Sequence, residues 1–222
     1  MSKILERIDA ILEERNLLRH PFYQAWTCGK LSQDALKQYS REYWPHVFAF
    51  PTYVSAAHAQ APDMASRRAL LMNLLEEESG EDNHPELWLR FSEGIGMPRA
   101  EVERGPVLPS SSNLVDVFRR LTRGSGYPAA VAALLAYEGQ VPEISAAKID
   151  GLRRFYGIED ERTLAFWEVH READVAHRQE ERELLDRAVR TRADESAAEA
   201  SAEEAAEALW SFLDGIHARW VA

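Results

Sequence analysis

Residues 166–177, FWEVHREADVAH, place His170, Asp174 and His177 at i, i+4 and i+7. That register acquires a meaning only on an α-helix. At roughly 100° per residue, the three side chains fall within about 60° of one another on one face. Two imidazoles and a carboxylate converging from a single helix offer nitrogen and oxygen ligands to a transition metal. The plainer reading is a helix with two solvated or core-satisfied histidines. The stripe alone does not choose between them.

The rest of the chain obeys the same period. Few stretches alternate apolar and polar residues; apolar positions recur every three or four, in segments rich in Ala, Leu, Glu and Arg. The expected fold class is all-α. The 222 residues suffice for one large helical domain with a sizeable core. A formal charge of −11 argues against a nucleic-acid partner and against an anionic membrane surface. Cys28 is the single cysteine, so no intrachain disulfide is available, which fits a reducing cytoplasm. The start, MSKILERIDAILEERN, carries charges throughout its apolar pattern, as an amphipathic helix does and a signal peptide does not. No apolar run approaches the ~20 residues of a membrane span.

Taken in order, residues 2–18 read as a helix capped by Ser2, with Ile4, Ile8, Ile11 and Leu12 inward. Pro21 opens a short helix anchored by Phe22, Tyr23 and Trp26, which Gly29 ends. Ser32 caps a long one, with Leu36, Tyr39, Tyr43, Val47 and Phe50 on its inner side. Pro45 and Pro51 should kink or break it. Further helices are expected at 63–80, near 98–103 inside an irregular stretch of 94–115, at 113–123, from Pro128 through AALLAYEGQVPEISAAKIDGL, and at 160–190. Residues 1–192 then form one domain. Residues 193–222 form an acidic Ala/Glu-rich helical extension on it, solvated at its start and docked by Leu209, Trp210, Phe212, Leu213, Ile216 and Trp220.

Three further positions stand out. Glu76, Glu77 and Glu78 end the helix at 63–80, and Glu77 lies seven residues before His84. The two share a face if the helix runs through Gly80. Gly80 and Asn83-His84-Pro85 argue that it does not, which would leave a solvated Glu triplet and a loop histidine. Glu138 sits in an apolar run, where a carboxylate costs several kcal/mol unless a lysine, an arginine or a metal pairs with it. Lys148 follows two alanines and by itself reads as an exposed helix lysine. Collected, Glu77, His84, Glu138, His170, Asp174 and His177 are three carboxylates and three imidazoles, a set suited to two iron or manganese ions. A structural zinc would bring cysteines.

The order Glu-x6-His, Glu, His-x3-Asp-x2-His resembles the haem-oxygenase-like di-metal oxidases. HPFYQAW, EEESGEDNHPELW, YEGQVPEISAAKI and HREADVAH resemble more closely the CADD family (Chlamydia protein associating with death domains), over about residues 10–190. More distant kinship is with thiaminase-like and pyrroloquinoline-quinone-synthase-like proteins. The resemblance implies a seven-helix haem-oxygenase-like bundle, here with a C-terminal extension, and two transition-metal ions, Fe/Fe or Mn/Fe, held by the six residues above. It implies p-aminobenzoate synthesis for folate from the protein's own tyrosine, with O2 as co-substrate. Tyr23 would be the consumed residue and Lys148 the nitrogen donor, with Tyr39 and Tyr137 nearby. A small-molecule reductant or redox protein would be the partner, and a homodimer is left open. The alternative is a multi-turnover di-iron oxygenase acting on a diffusible small molecule.

Overall fold

The structure is a computed structural model. It describes residues 2–222, and the side chains of all of these except residues 172–175. Among the described residues there are eleven α-helices, one 3-10 turn at Leu17–Arg19 and no strand. The helices are α1 (Lys3–Glu14), α2 (Pro21–Thr27), α3 (Gln33–Gln60), α4 (Met64–Glu78), α5 (His84–Gly94), α6 (Arg99–Arg104), α7 (Pro109–Gly124), α8 (Tyr127–Glu138), α9 (Val141–Tyr156), α10 (Glu161–Ala188) and α11 (Arg192–Trp220). The segments outnumber the seven expected because short helices such as α2, α5 and α6 stand apart from their neighbours at turns.

The bundle is built around α8. Its sequence, YPAAVAALLAYE, is apolar on every face, and a helix that is apolar all round must be buried. All of its residues but Pro128 are buried, including the terminal Glu138. Helix α11 lies along one side of it, α10 and α7 on others, and α3 spans α4, α5 and α7. Glu138 is thereby delivered to the interior by the hydrophobicity of the eleven residues before it.

Four expectations are corrected here. Helix α3 runs through Pro45 and Pro51 without a break. Each proline forfeits one backbone hydrogen bond, but Val47, Phe50, Tyr53 and Val54 are buried on the same helix and hold it. The run from Pro128 is two helices, parted at Gly139 and Gln140. The start of α11 is not a solvated stretch: Ala198, Ser201, Ala202, Ala205 and Ala206 are buried. Small residues let its backbone approach α8, and Ser201 Oγ donates to the Ala129 carbonyl at 2.7 Å. Ser2 stands at the N-cap of α1 without a side-chain capping bond, whereas Ser32 caps α3 by accepting from the Ala35 amide.

Helix α11 also reaches the aromatic core. The Phe212 ring is fully buried, 5.3 Å from Tyr43 and 6.3 Å from Tyr39. Phe212→Ala should destabilise the protein by about 3–5 kcal/mol, as truncation of a packed aromatic does, read from urea unfolding. A loss below about 1 kcal/mol would mean that α11 does not share this core.

Candidate metal centre

Two helix ends present carboxylates where the backbone is already negative. Helix α4 closes on Glu76-Glu77-Glu78 with no basic residue in its last turn, and α8 closes on Glu138. Acidic groups at a helix C-terminus oppose the macrodipole, each at a cost of about 0.3–1 kcal/mol. Such a conflict between local preference and fold is expected at functional sites.

Helix α4 stops at Glu78, so Glu77 and His84 do not share one helix. Gly80, at φ +78°, takes the left-handed backbone of the turn that follows. Asn83 caps α5 by accepting from the Glu86 amide, and Pro85 suits the first turn. The turn folds α5 back beside α4, and His84 Nδ1 meets Glu77 Oε1 at 2.9 Å. His170 completes this group: one ligand atom from each of Glu77, His84 and His170 lies within 4.8 Å of the other two. The imidazoles of His84 and His170 are 4.3 Å apart.

His170 Nδ1 donates to the Phe166 carbonyl at 2.6 Å, which assigns the proton to Nδ1 and leaves Nε2 a lone pair. Burial, followed by the neighbouring His84, holds the ring well below its ordinary pKa. It is therefore neutral, as a ligand must be.

A second group lies on the same face of α10. His177 Nε2 meets Glu76 Oε2 at 3.0 Å, and its Nδ1 meets Glu138 Oε1 at 3.3 Å. Asn73 Nδ2 donates to both Glu138 oxygens, at 3.0 and 3.3 Å. Burial pushes the Glu138 carboxyl up, but hydrogen bonds with Glu181, His177 and Asn73 outweigh it and hold the group below the usual carboxylate range. Asp174 lies outside the described residues. Thus five of the six expected ligands are found in two adjoining groups. The donor set fits iron or manganese: neutral imidazoles, several carboxylates and no thiolate, Cys28 being exposed elsewhere.

The residues that sequence reading passed over are Asn73, Phe166, Trp167 and Glu181, while Glu76 was set aside in favour of Glu77. Asn73 and Glu181 had a signal, since each stands four residues from an expected ligand, Glu77 or His177, and so on its face. Phe166 and Trp167 had none beyond being aromatic.

Tyr23, Tyr137 and Lys148 line a small enclosed cavity of about 20 Å³, together with Tyr43, Phe166 and Trp167. Its assembly follows from α2. His20 caps that helix by accepting from the Phe22 amide through Nδ1, while Nε2 meets Asp214 of α11 at 3.0 Å. Trp26 seats against Gly151, where an added Cβ would lie 2.6 Å from the indole, and its Nε1 donates to the Lys148 carbonyl at 3.3 Å. One helical turn back on each element, Tyr23 and Lys148 therefore face each other.

Lys148 is not the exposed residue its local sequence suggests; it is 1% exposed. Its Nζ donates to the Tyr39 hydroxyl and lies 3.9 Å from the Trp167 ring centre and 5.1 Å from that of Tyr23. Burial lowers its pKa well below the ordinary lysine value. Tyr39 in turn shares a hydrogen bond with Tyr23, and burial pushes both phenols up. The two phenols and the amine form one hydrogen-bonded row. Phe166 separates this cavity from the metal-ligand groups: it lines the cavity and lies against His170, ring centres 4.0 Å apart.

Comparison with known proteins agrees with this architecture. Residues 37–211 match the model of a haem-oxygenase-like family described as an iron-containing redox enzyme. The match extends well past residue 190, so α11 belongs to the likeness. The chain is 41% identical to a 4-aminobenzoate synthase of Nitrosomonas europaea, covering 98% of this chain and 92% of that one. It is 36% identical to a 4-aminobenzoate synthase of Chlamydia pneumoniae, over 96% and 94%. Among solved structures, a TenA homolog from Pseudomonas syringae pv. tomato superposes with a TM-score of 0.84 at 18% identity, covering 96% of this chain and 92% of that one. No described helix is long and apolar enough to cross a membrane. With its family model spanning most of its length and near relatives matching end to end, the chain belongs to the haem-oxygenase-like iron-containing redox enzymes.

Proposed function

We propose that this protein makes p-aminobenzoate from its own Tyr23, as a single-turnover di-metal oxygenase using O2 and a reductant. The observation that carries this reading is the size of the Tyr23–Lys148 cavity. At about 20 Å³ it has room for about one water. A cavity that admits a free benzene ring measures about 150 Å³. The Tyr23 ring is therefore part of the wall of this cavity, and a tethered ring needs no binding step.

Glu77, His84, Glu138, His170 and His177, with Asp174, would hold the two metals. Bound iron or manganese supplies the redox chemistry that lets O2 react with a closed-shell aromatic ring. The remaining work falls to this chain. Phe22, at 5.6 Å in an edge-on contact, helps fix the Tyr23 ring. Lys148, neutral through burial, keeps the lone pair that an amine donor needs. Tyr39, bonded to both the Tyr23 phenol and Lys148, is placed to hand a proton between them. Leu17, Val141 and Ile144 close the cavity against bulk water.

The test is isotopic. Protein carrying ring-labelled tyrosine is loaded with Fe(II), with or without Mn(II), under anaerobic conditions and then exposed to O2 and a reductant. We expect labelled p-aminobenzoate at no more than about one molecule per chain, and a shortened side chain at position 23 by peptide mass spectrometry. Unlabelled product, or many turnovers per chain, would transfer the assignment to an oxygenase with a diffusible substrate.

A further inference from the structure

We propose that Glu181 is a metal-binding carboxylate of the second group, taking a divalent first-row cation jointly with Glu138 and His177. This rests on the metal reading above. Glu181 follows His177 by four residues and His170 by eleven. At roughly 100° per residue it stands within about 40° of both on α10. It is 1% exposed, and glutamate is almost never fully buried unless paired. Its carboxyl is in hydrogen-bond contact with that of Glu138.

Two buried carboxyl groups in contact, with the His177 imidazole against Glu138 and the exposed Glu76 carboxylate on its other nitrogen, make a chelating arrangement. Two carboxylates so placed repel unless they share a proton, and a divalent ion between them takes that proton's place. The second observation is Asn73. It is 4% exposed, and while its amide nitrogen donates to Glu138, its Oδ1 has no hydrogen-bond partner among the described residues. A buried carbonyl oxygen left without a donor costs about 1–3 kcal/mol. A water held on a metal would donate to it.

Mn(II) alone is the probe, because it binds without reacting with the chain. Stoichiometry is read by anaerobic equilibrium dialysis, and the magnetic coupling of neighbouring ions by electron paramagnetic resonance. Wild type should take up about two equivalents and show a coupled pair. Glu181→Gln, which keeps the shape and one hydrogen bond but removes the charge, should bind the second ion at least about tenfold more weakly, a loss of the size seen when metal-site residues change. It should give the spectrum of isolated Mn(II). Glu180→Gln, on the exposed neighbour, should match wild type. Glu181→Asp, which keeps the charge but shortens the reach, should weaken the second ion alone and serves if Glu181→Gln fails to fold. Two equivalents at wild-type affinity with coupling intact, in either Glu181 variant, would overturn the proposal. Wild type taking up no Mn(II) would overturn the metal reading itself, a result distinct from failure at Glu181.

Discussion

Tyr23→Phe should bind metal as wild type does and form no p-aminobenzoate. The substitution removes one oxygen from a buried ring and leaves the ring's packing against Phe22 in place. The phenol bonds to Tyr39, whose hydroxyl keeps its bond from Lys148. Folding should therefore change little, since replacing a buried polar group by an apolar one of the same shape is often near neutral when its partner stays satisfied. The chemistry should change completely, because an unsubstituted ring carbon offers no oxygen to be exchanged for nitrogen. Metal analysis, thermal unfolding and product detection on the same preparation separate the two effects. Product at wild-type yield would remove Tyr23 from the reaction.

The second large effect is expected at Lys148, with opposite signs for activity and stability. Lys148→Met should abolish aminated product while leaving stability equal or higher, by up to roughly 1–3 kcal/mol, the cost of keeping a polar group out of water. The cause is the cage of Tyr23, Tyr39 and Trp167, which suits a flexible apolar chain better than an amine. The pH dependence has a definite sign. Burial depresses the folded-state pKa of Lys148. Between that value and the ordinary lysine value of about 10.4, the unfolded chain binds the extra proton, and stability rises with pH. Wild type should gain on Lys148→Met as pH climbs through this window, and the difference should stop changing above it. A variant that is less stable at every pH would mean that the lysine holds the fold together. A variant that still makes aminated product would mean that the nitrogen comes from elsewhere.

Both predictions concern residues that stand out in the sequence to different degrees. His170 and His177 stand out in the sequence, because a helical period converts their spacing directly into a shared face. Burial of α8 was equally legible, since YPAAVAALLAYE leaves no polar side to expose, and Glu138 follows it inward. The CADD-like motifs pointed at Tyr23 and Lys148, but their local sequence did not. Lys148 between AA and ID looks like a surface lysine, and Tyr23 looks like one aromatic among several. Its burial is decided by the contact of Trp26 with Gly151, across 125 residues of chain.

What the sequence by itself determined is the all-α class, the position of most of the helices and the faces that carry imidazole and carboxylate. These follow from 3.6-residue periodicity and from capping residues, which act over a single turn. What only the tertiary structure decided is which faces meet. Glu77 and His84 belong to different helices and come together because Gly80 permits a left-handed turn. Glu76 rather than Glu77 faces His177, a choice set by the angle at which α4 packs. The alanines of α11, read locally as the start of an acidic solvated stretch, become core because α8 presents a surface of small residues to them. The physical reason is common to all three. Period and caps are local quantities, whereas the pairing of faces depends on shape and charge brought together from distant parts of the chain.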